Sequence, residues 1–155
     1  MAGNIAAKLA ELGIVLPTPA APVANYVPFV QTGNLVVISG QIPMRDGKLA
    51  FSGKVGLELP VEQGALAAQL CFVNLLAQLQ VACDGDLDRV QRVVRLGGFI
   101  AAPSSFTAHA AIMNGASDMA VAVFGDRGRH ARSTIGVPSL PMDASVEVEG
   151  MFQIA

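Results

Sequence analysis

Charge is scarce in this sequence: 10 Lys and Arg against 12 Asp and Glu make up 14% of 155 residues, where about 25% is usual for a soluble domain. A net charge of -2 and a pI near 5.6 leave no basic footprint for nucleic acid, and the aromatic residues, at 5%, are too few to interleave with the one basic cluster. Cysteine is nearly absent. Cys71 and Cys83 have no C-x-x-C spacing, so they read as buried reduced thiols with no redox role. The two histidines, His109 and His130, stand 21 residues apart with no Cys or carboxylate at ligand spacing, which argues against a metal site and leaves His109 as a helix-surface residue. A Walker loop, a strand-linked G-x-G-x-x-G, G-x-S-x-G and H-E-x-x-H are all missing, and no cofactor is implied.

What the chain has in abundance is apolar surface: 52% of its residues are hydrophobic and the mean hydropathy is +0.51. That excludes disorder. A chain of this length buries about 70% of its unfolded surface, enough for one domain over residues 1–155, with an N-terminal helix and extended arm over 1–28. The surplus must face a membrane or another subunit. Two charge-free stretches test the first option. Leu12–Met44 fails because Pro17, Pro19, Pro22, Pro28 and Pro43 break it. In Gln63–Cys83, five amides (Gln63, Gln69, Asn74, Gln78 and Gln80) gather on one half of a helix and Ala65, Ala68, Cys71, Phe72, Leu75, Leu76 and Leu79 on the other, as in a soluble amphipathic helix whose amide face is covered by another surface. The N-terminus does not read as a secretory signal, so the expectation is a cytoplasmic protein.

Periodicity orders the elements. Asn4–Leu12 has helical spacing, Val15–Pro28 is an extended arm, and Phe29–Thr32 with Leu35–Ser39 forms a hairpin turning at Gly33-Asn34. A short strand at Lys48–Phe51 follows the Asp46-Gly47 turn. A helix begins near Pro60 and stops at Gly85. Asp88–Ala101 is a long strand, and Phe106–Val123 a second helix with Ala110, Met113, Ala120 and Phe124 inward. Ser133–Val137 and Ser145–Ile154 then read as strands of a terminal hairpin, the latter with Val146, Val148 and Phe152 on one face and Glu147, Glu149 and Met151 on the other. The fold class is α+β: two helices cover one face of a mixed sheet. The uncovered face is partly apolar, which predicts a closed homo-oligomer built through it.

Arg127, Arg129, His130 and Arg132 form the basic cluster. Arg132 differs from its neighbours because it stands at the mouth of an apolar strand, where a guanidinium calls for a bidentate anion. The run Arg132-Ser133-Thr134-Ile135-Gly136-Val137-Pro138-Ser139-Leu140-Pro141, followed by Val146-Glu147-Val148-Glu149, resembles the C-terminal signature of the Rid (YjgF, endoribonuclease L-PSP-like) family. Gly33–Pro43 resembles its N-terminal signature, and the length resembles the longer, chorismate-mutase-like branch.

The resemblance implies a homotrimer of chorismate-mutase-like folds, with ligand clefts between subunits, that hydrolyses 2-imino or enamino acids to 2-oxo acids and ammonia. By motif position Arg132 would grip the substrate carboxylate and Glu147 would position the water, with Tyr26 and Ser39 facing the ligand. Thr134 stands where the deaminating members have a cysteine, and Ser104 or Ser105 where they have an asparagine. The implied partner is a small carboxylate, with no membrane and no nucleic acid. Other readings stay open: a non-catalytic binder of carboxylate metabolites, favoured by Thr134 and the missing asparagine; an endoribonuclease, disfavoured by charge; and a chorismate mutase, which rests on fold alone.

Overall fold

The computed structural model describes residues 3–19 and 24–155; part of the expected arm, residues 20–23, lies outside them. The elements are α1 (Asn4–Glu11), β1 (Phe29–Thr32), β2 (Leu35–Gln41), β3 (Met44–Arg45), β4 (Lys48–Leu49), α2 (Val61–Ala82), β5 (Val90–Ala101), α3 (His109–Phe124), β6 (Ala131–Val137) and β7 (Val146–Ile154). Five strands make one sheet in the order β1-β2-β7-β5-β6, antiparallel except for the β5–β6 pair, and β3 and β4 form a separate ribbon around the Asp46-Gly47 turn. The α+β class with helices over one sheet face is therefore observed.

The core lies between that face and the helices. Val36 and Ile38 of β2, Val93, Leu96 and Ile100 of β5, and Val146, Val148, Phe152 and Ile154 of β7 pack against Phe72, Leu75, Leu76 and Leu79 of α2 and Ile112, Met113 and Ala116 of α3. By length and composition α2 could cross a bilayer, yet most of it is buried inside this fold. Its amide stripe is not a solvated face. Asn74 and Gln78 are buried, and the Asn74 amide donates to the carbonyls of Ile42 and Met44, both at 3.1 Å. For Asn74 the cover expected from sequence is supplied by the chain itself, through the carbonyls where β2 passes into β3; Gln63, Gln69 and Gln80 stay half-buried. Cys71 and Cys83 are free and buried, and burial pushes the Cys71 thiol well above its ordinary pKa.

The N-terminal helix is part of the body. Ile5 and Leu9 enter the core, and the Asp88 carboxylate accepts the Asn4 and Ile5 backbone N–H groups at 2.8 Å each, capping α1 from 83 residues away.

Three expectations need correction. Helix α3 starts at His109 rather than Phe106, because Phe106 is held in a turn on the Pro103 carbonyl; the helical phase then leaves Ala110 exposed and turns Ile112 and Ala116 inward. Strand β6 starts at Ala131, so Arg132 lies within the strand and not at its mouth. The last two strands are not a hairpin: α3 carries the chain from β5 to a parallel β6 at the sheet edge, and β5 separates β6 from β7. Alternation along a strand fixes which side chains share a face but says nothing about which strand lies alongside.

Candidate active site

Register assigns the candidates on β6 and β7 to faces. Arg132 pairs with Leu96 and Thr134 with Gly98, and Leu96 is a core residue, so Arg132 and Thr134 lie on the helix-covered face of β6. Consistently, Arg132 Nη1 donates to Ser117 Oγ of α3 at 3.0 Å. Glu147 pairs with Phe99 and alternates with the buried Val146 and Val148, which puts it on the open face. Leu96 also pairs with Gly150, so Arg132 and Glu147 are two strands apart and three residues out of step, roughly 14 Å between Cα atoms. One chain does not bring them together.

Instead it carries two clusters. The first is built on β1, β2 and β7. A register irregularity falls between Ile38 and Gln41, where Ser39 and Gly40 lie opposite Glu149 of β7. A Cβ on Gly40 would collide with Glu147 Oε1, so glycine is what lets the carboxyl lie across β2. Ser39 Oγ donates to the Val27 carbonyl at 2.9 Å and Ser39 N–H to that of Pro28, which fastens the segment bearing Tyr26 to this edge. Tyr26 is 55% exposed. Burial, and behind it the charge of Glu149, raises the pKa of Glu147 from the ordinary carboxyl value. Glu149 itself pairs with Arg95 at 3.7 Å.

The second cluster is built on β6 and α3. Arg89, Arg95 and Arg129 each have a carboxylate partner; Arg132, like the exposed Arg45, Arg92 and Arg127, has none among the described residues, and of these four it alone is half-buried. The buried Thr134 hydroxyl has no hydrogen-bond partner among the described residues. Farther along, Ser104 lines an opening of about 330 Å³ with Phe106, His109, Gly136 and Pro138. His109 is half-buried there, its ring edge-on to Phe106, and not the surface residue expected from sequence. Ser117, which the sequence does not single out, and His130, which it places only in the basic cluster, stand directly behind Arg132: Ser117 Oγ lies 2.9 Å from His130 Nε2. Thirteen residues separate them, and the turn that carries the chain from α3 back to β6 brings them together, a placement that no motif in the sequence announces.

An apolar band surrounds the first cluster. Val30, Val37 and Ile135, which are 53%, 41% and 51% exposed, share the open face with the half-buried Phe99 and Met151.

Fold and motif together define a class, and the chain belongs to it: it matches the family described as "YjgF/chorismate mutase-like, putative endoribonuclease" over residues 6–152. It is 44% identical to Protein TCP17 of Trypanosoma cruzi over 153 residues, 98% of this chain and 95% of that protein. It is 31% identical over 144 residues to the 2-iminobutanoate/2-iminopropanoate deaminase of Dermatophagoides farinae, covering 90% of this chain and 95% of that one. The crystal structure of Atu1372 from Agrobacterium tumefaciens, described as having unknown function, superposes with a TM-score of 0.92 at 45% identity, covering 97% of this chain and 92% of that chain.

Proposed function

We propose that this protein hydrolyses 2-imino acids and their enamine tautomers to 2-oxo acids and ammonia, at clefts formed between copies of the chain in a homotrimer. The observation that carries the reading is the state of Arg132: a half-buried guanidinium with one N–H committed to a serine hydroxyl and no carboxylate among the described residues to neutralise it. A planar carboxylate is the group its free edge fits. The deaminase of Dermatophagoides farinae, whose printed name gives 2-imino acids as its substrates, supports the substrate class. Placement supports assembly. Arg132 and Glu147 lie on opposite faces of one sheet, and the open face carries an exposed apolar band, so a second copy supplies what each chain lacks.

Arg132 of one copy holds the substrate carboxylate. Glu147 of the next takes a proton from water as the water oxygen bonds to the imine carbon and the C=N electron pair moves to nitrogen. Glu147 returns that proton to nitrogen to give the carbinolamine. It then takes the hydroxyl proton and passes it to the amino nitrogen as the C=O forms and the C–N bond breaks, so that ammonia leaves a 2-oxo acid. Raised by burial, Glu147 is a better base than an exposed carboxylate and can return the proton to the leaving nitrogen. The test is release of ammonia and pyruvate from 2-aminoacrylate generated in situ, with the expectation that the protein accelerates both. Saturable binding of 2-oxobutanoate without any acceleration would instead make the protein a carboxylate binder, the reading that Thr134 favours.

A further inference from the structure

A chain of hydrogen bonds runs from the backbone to Arg132, and a neutral His130 ring gives it one direction. His130 Nδ1 lies 2.6 Å from the Gly128 carbonyl, which can only accept, so Nδ1 carries the proton. In the neutral ring Nε2 is then an acceptor and takes the Ser117 hydroxyl proton at 2.9 Å. With its own proton committed, Ser117 Oγ presents lone pairs to Arg132 Nη1 at 3.0 Å. The origin of the chain is itself held in place. A Cβ on Gly128 would run into the Ala120 carbonyl of α3, so the turn packs against the helix backbone, and Arg127 Nη1 ties the same turn to the Val90 carbonyl at 2.8 Å.

We propose that Ser117 and His130 are positioning residues that hold the Arg132 guanidinium with its Nε and Nη2 edge turned outward for a ligand carboxylate. The inference rests on the carboxylate-binding reading given above. Arginine loses much rotamer freedom when it grips an anion, and an anchor on Nη1 meets part of that loss before the ligand arrives. An acid in the place of Ser117 would hold Arg132 equally well but would neutralise it; a serine polarised by a neutral imidazole holds it and leaves its charge for the ligand. Charged side chains nearby do not replace the pair. Asp118, next to Ser117, is exposed; Asp126 is engaged with Arg129; and Arg95 is engaged with Glu149 on the opposite face.

Calorimetric titration of the intact protein with 2-oxobutanoate and with its uncharged amide, 2-oxobutanamide, tests this. Ser117→Ala and His130→Ala are expected to bind 2-oxobutanoate about tenfold more weakly with little change for the amide, because only the carboxylate uses the oriented edge. Ser117→Thr, which keeps the hydroxyl, and His130→Gln, which keeps an acceptor near the Nε2 position, are expected to restore carboxylate binding. Should Ser117→Ala unfold, the contrast between His130→Ala and His130→Gln decides the matter. Wild-type affinity in both alanine variants, with binding lost in Arg132→Ala, would overturn the positioning role and leave the proposed function standing. Wild-type affinity in Arg132→Ala would overturn the proposed function and the positioning role with it.

Discussion

Arg132→Ala is expected to lower kcat/KM for 2-imino acids by about 10²- to 10³-fold, the size of a lost hydrogen-bonded charge pair in a partly desolvated site. The loss should fall on carboxylate-bearing substrates and leave the melting midpoint almost unchanged. The reason for that separation is structural. Arg132 is half-buried on an edge strand and makes one side-chain hydrogen bond, to Ser117, so truncation opens no core cavity and strands no buried charge. Arg132→Lys should recover little of the loss, because an ammonium offers a point charge where the carboxylate needs a fork of N–H groups. Steady-state kinetics and thermal melting of the three proteins check both halves. A melting midpoint that drops in step with activity would show that Arg132 acts through the fold.

The second large effect belongs to Glu147. Glu147→Gln should reduce kcat by about 10²- to 10⁴-fold, the range spanned by general acid–base groups, with a smaller change in KM. In the wild type, kcat should fall on acidification with a midpoint above the ordinary carboxyl value, because burial first and Glu149 second raise Glu147. The kcat profile is the one to read, since in the complex the substrate carboxylate offsets the nearby charge of Arg132. Glu149→Gln removes the second cause and should move the limb back toward the ordinary value. Stability gives the same sign independently. Below the unfolded-state pKa both states are protonated and nothing differs. As pH rises from there through the raised folded value, the folded protein resists ionisation and loses stability relative to the unfolded chain. Glu147→Gln should abolish that decline, so its melting advantage over wild type grows across this window and then levels. A kcat limb at or below the ordinary carboxyl range would contradict the role of burial.

Much of this architecture is legible in the residues. The Gly33-Asn34 hairpin, the long apolar α2 between Pro60 and Gly85, and the alternation that sets Glu147 and Glu149 opposite Val146 and Val148 are local signals with local causes, and each reappears in the structure. What escapes local reading depends on distance along the chain. The covering of Asn74 by carbonyls some 30 residues upstream, the capping of α1 by Asp88, and the insertion of β5 between β6 and β7 all need tertiary placement. The same holds at the site. Sequence nominates Arg132, Glu147, Tyr26 and Ser39 singly; placement divides them into a β6 cluster and a β2/β7 cluster on opposite faces, and adds Ser117 and His130 behind the arginine. Low charge has a physical role in this arrangement. With 14% charged residues, the open face can carry an apolar band.

The division of Arg132 and Glu147 between copies is tested most directly by mixing the two inactive variants. Arg132→Ala and Glu147→Gln chains, denatured together in equal amounts and refolded, are expected to form mixed trimers by random assembly if the proposed homotrimer exists, and their mass and composition can be read by native mass spectrometry. If each site takes Arg132 from one copy and Glu147 from the next, roughly one site in four receives both intact residues, and the mixture recovers about a quarter of wild-type imine hydrolysis. Recovery no greater than the sum of the separately refolded variants, in a sample shown to contain mixed trimers, would contradict a site shared between chains.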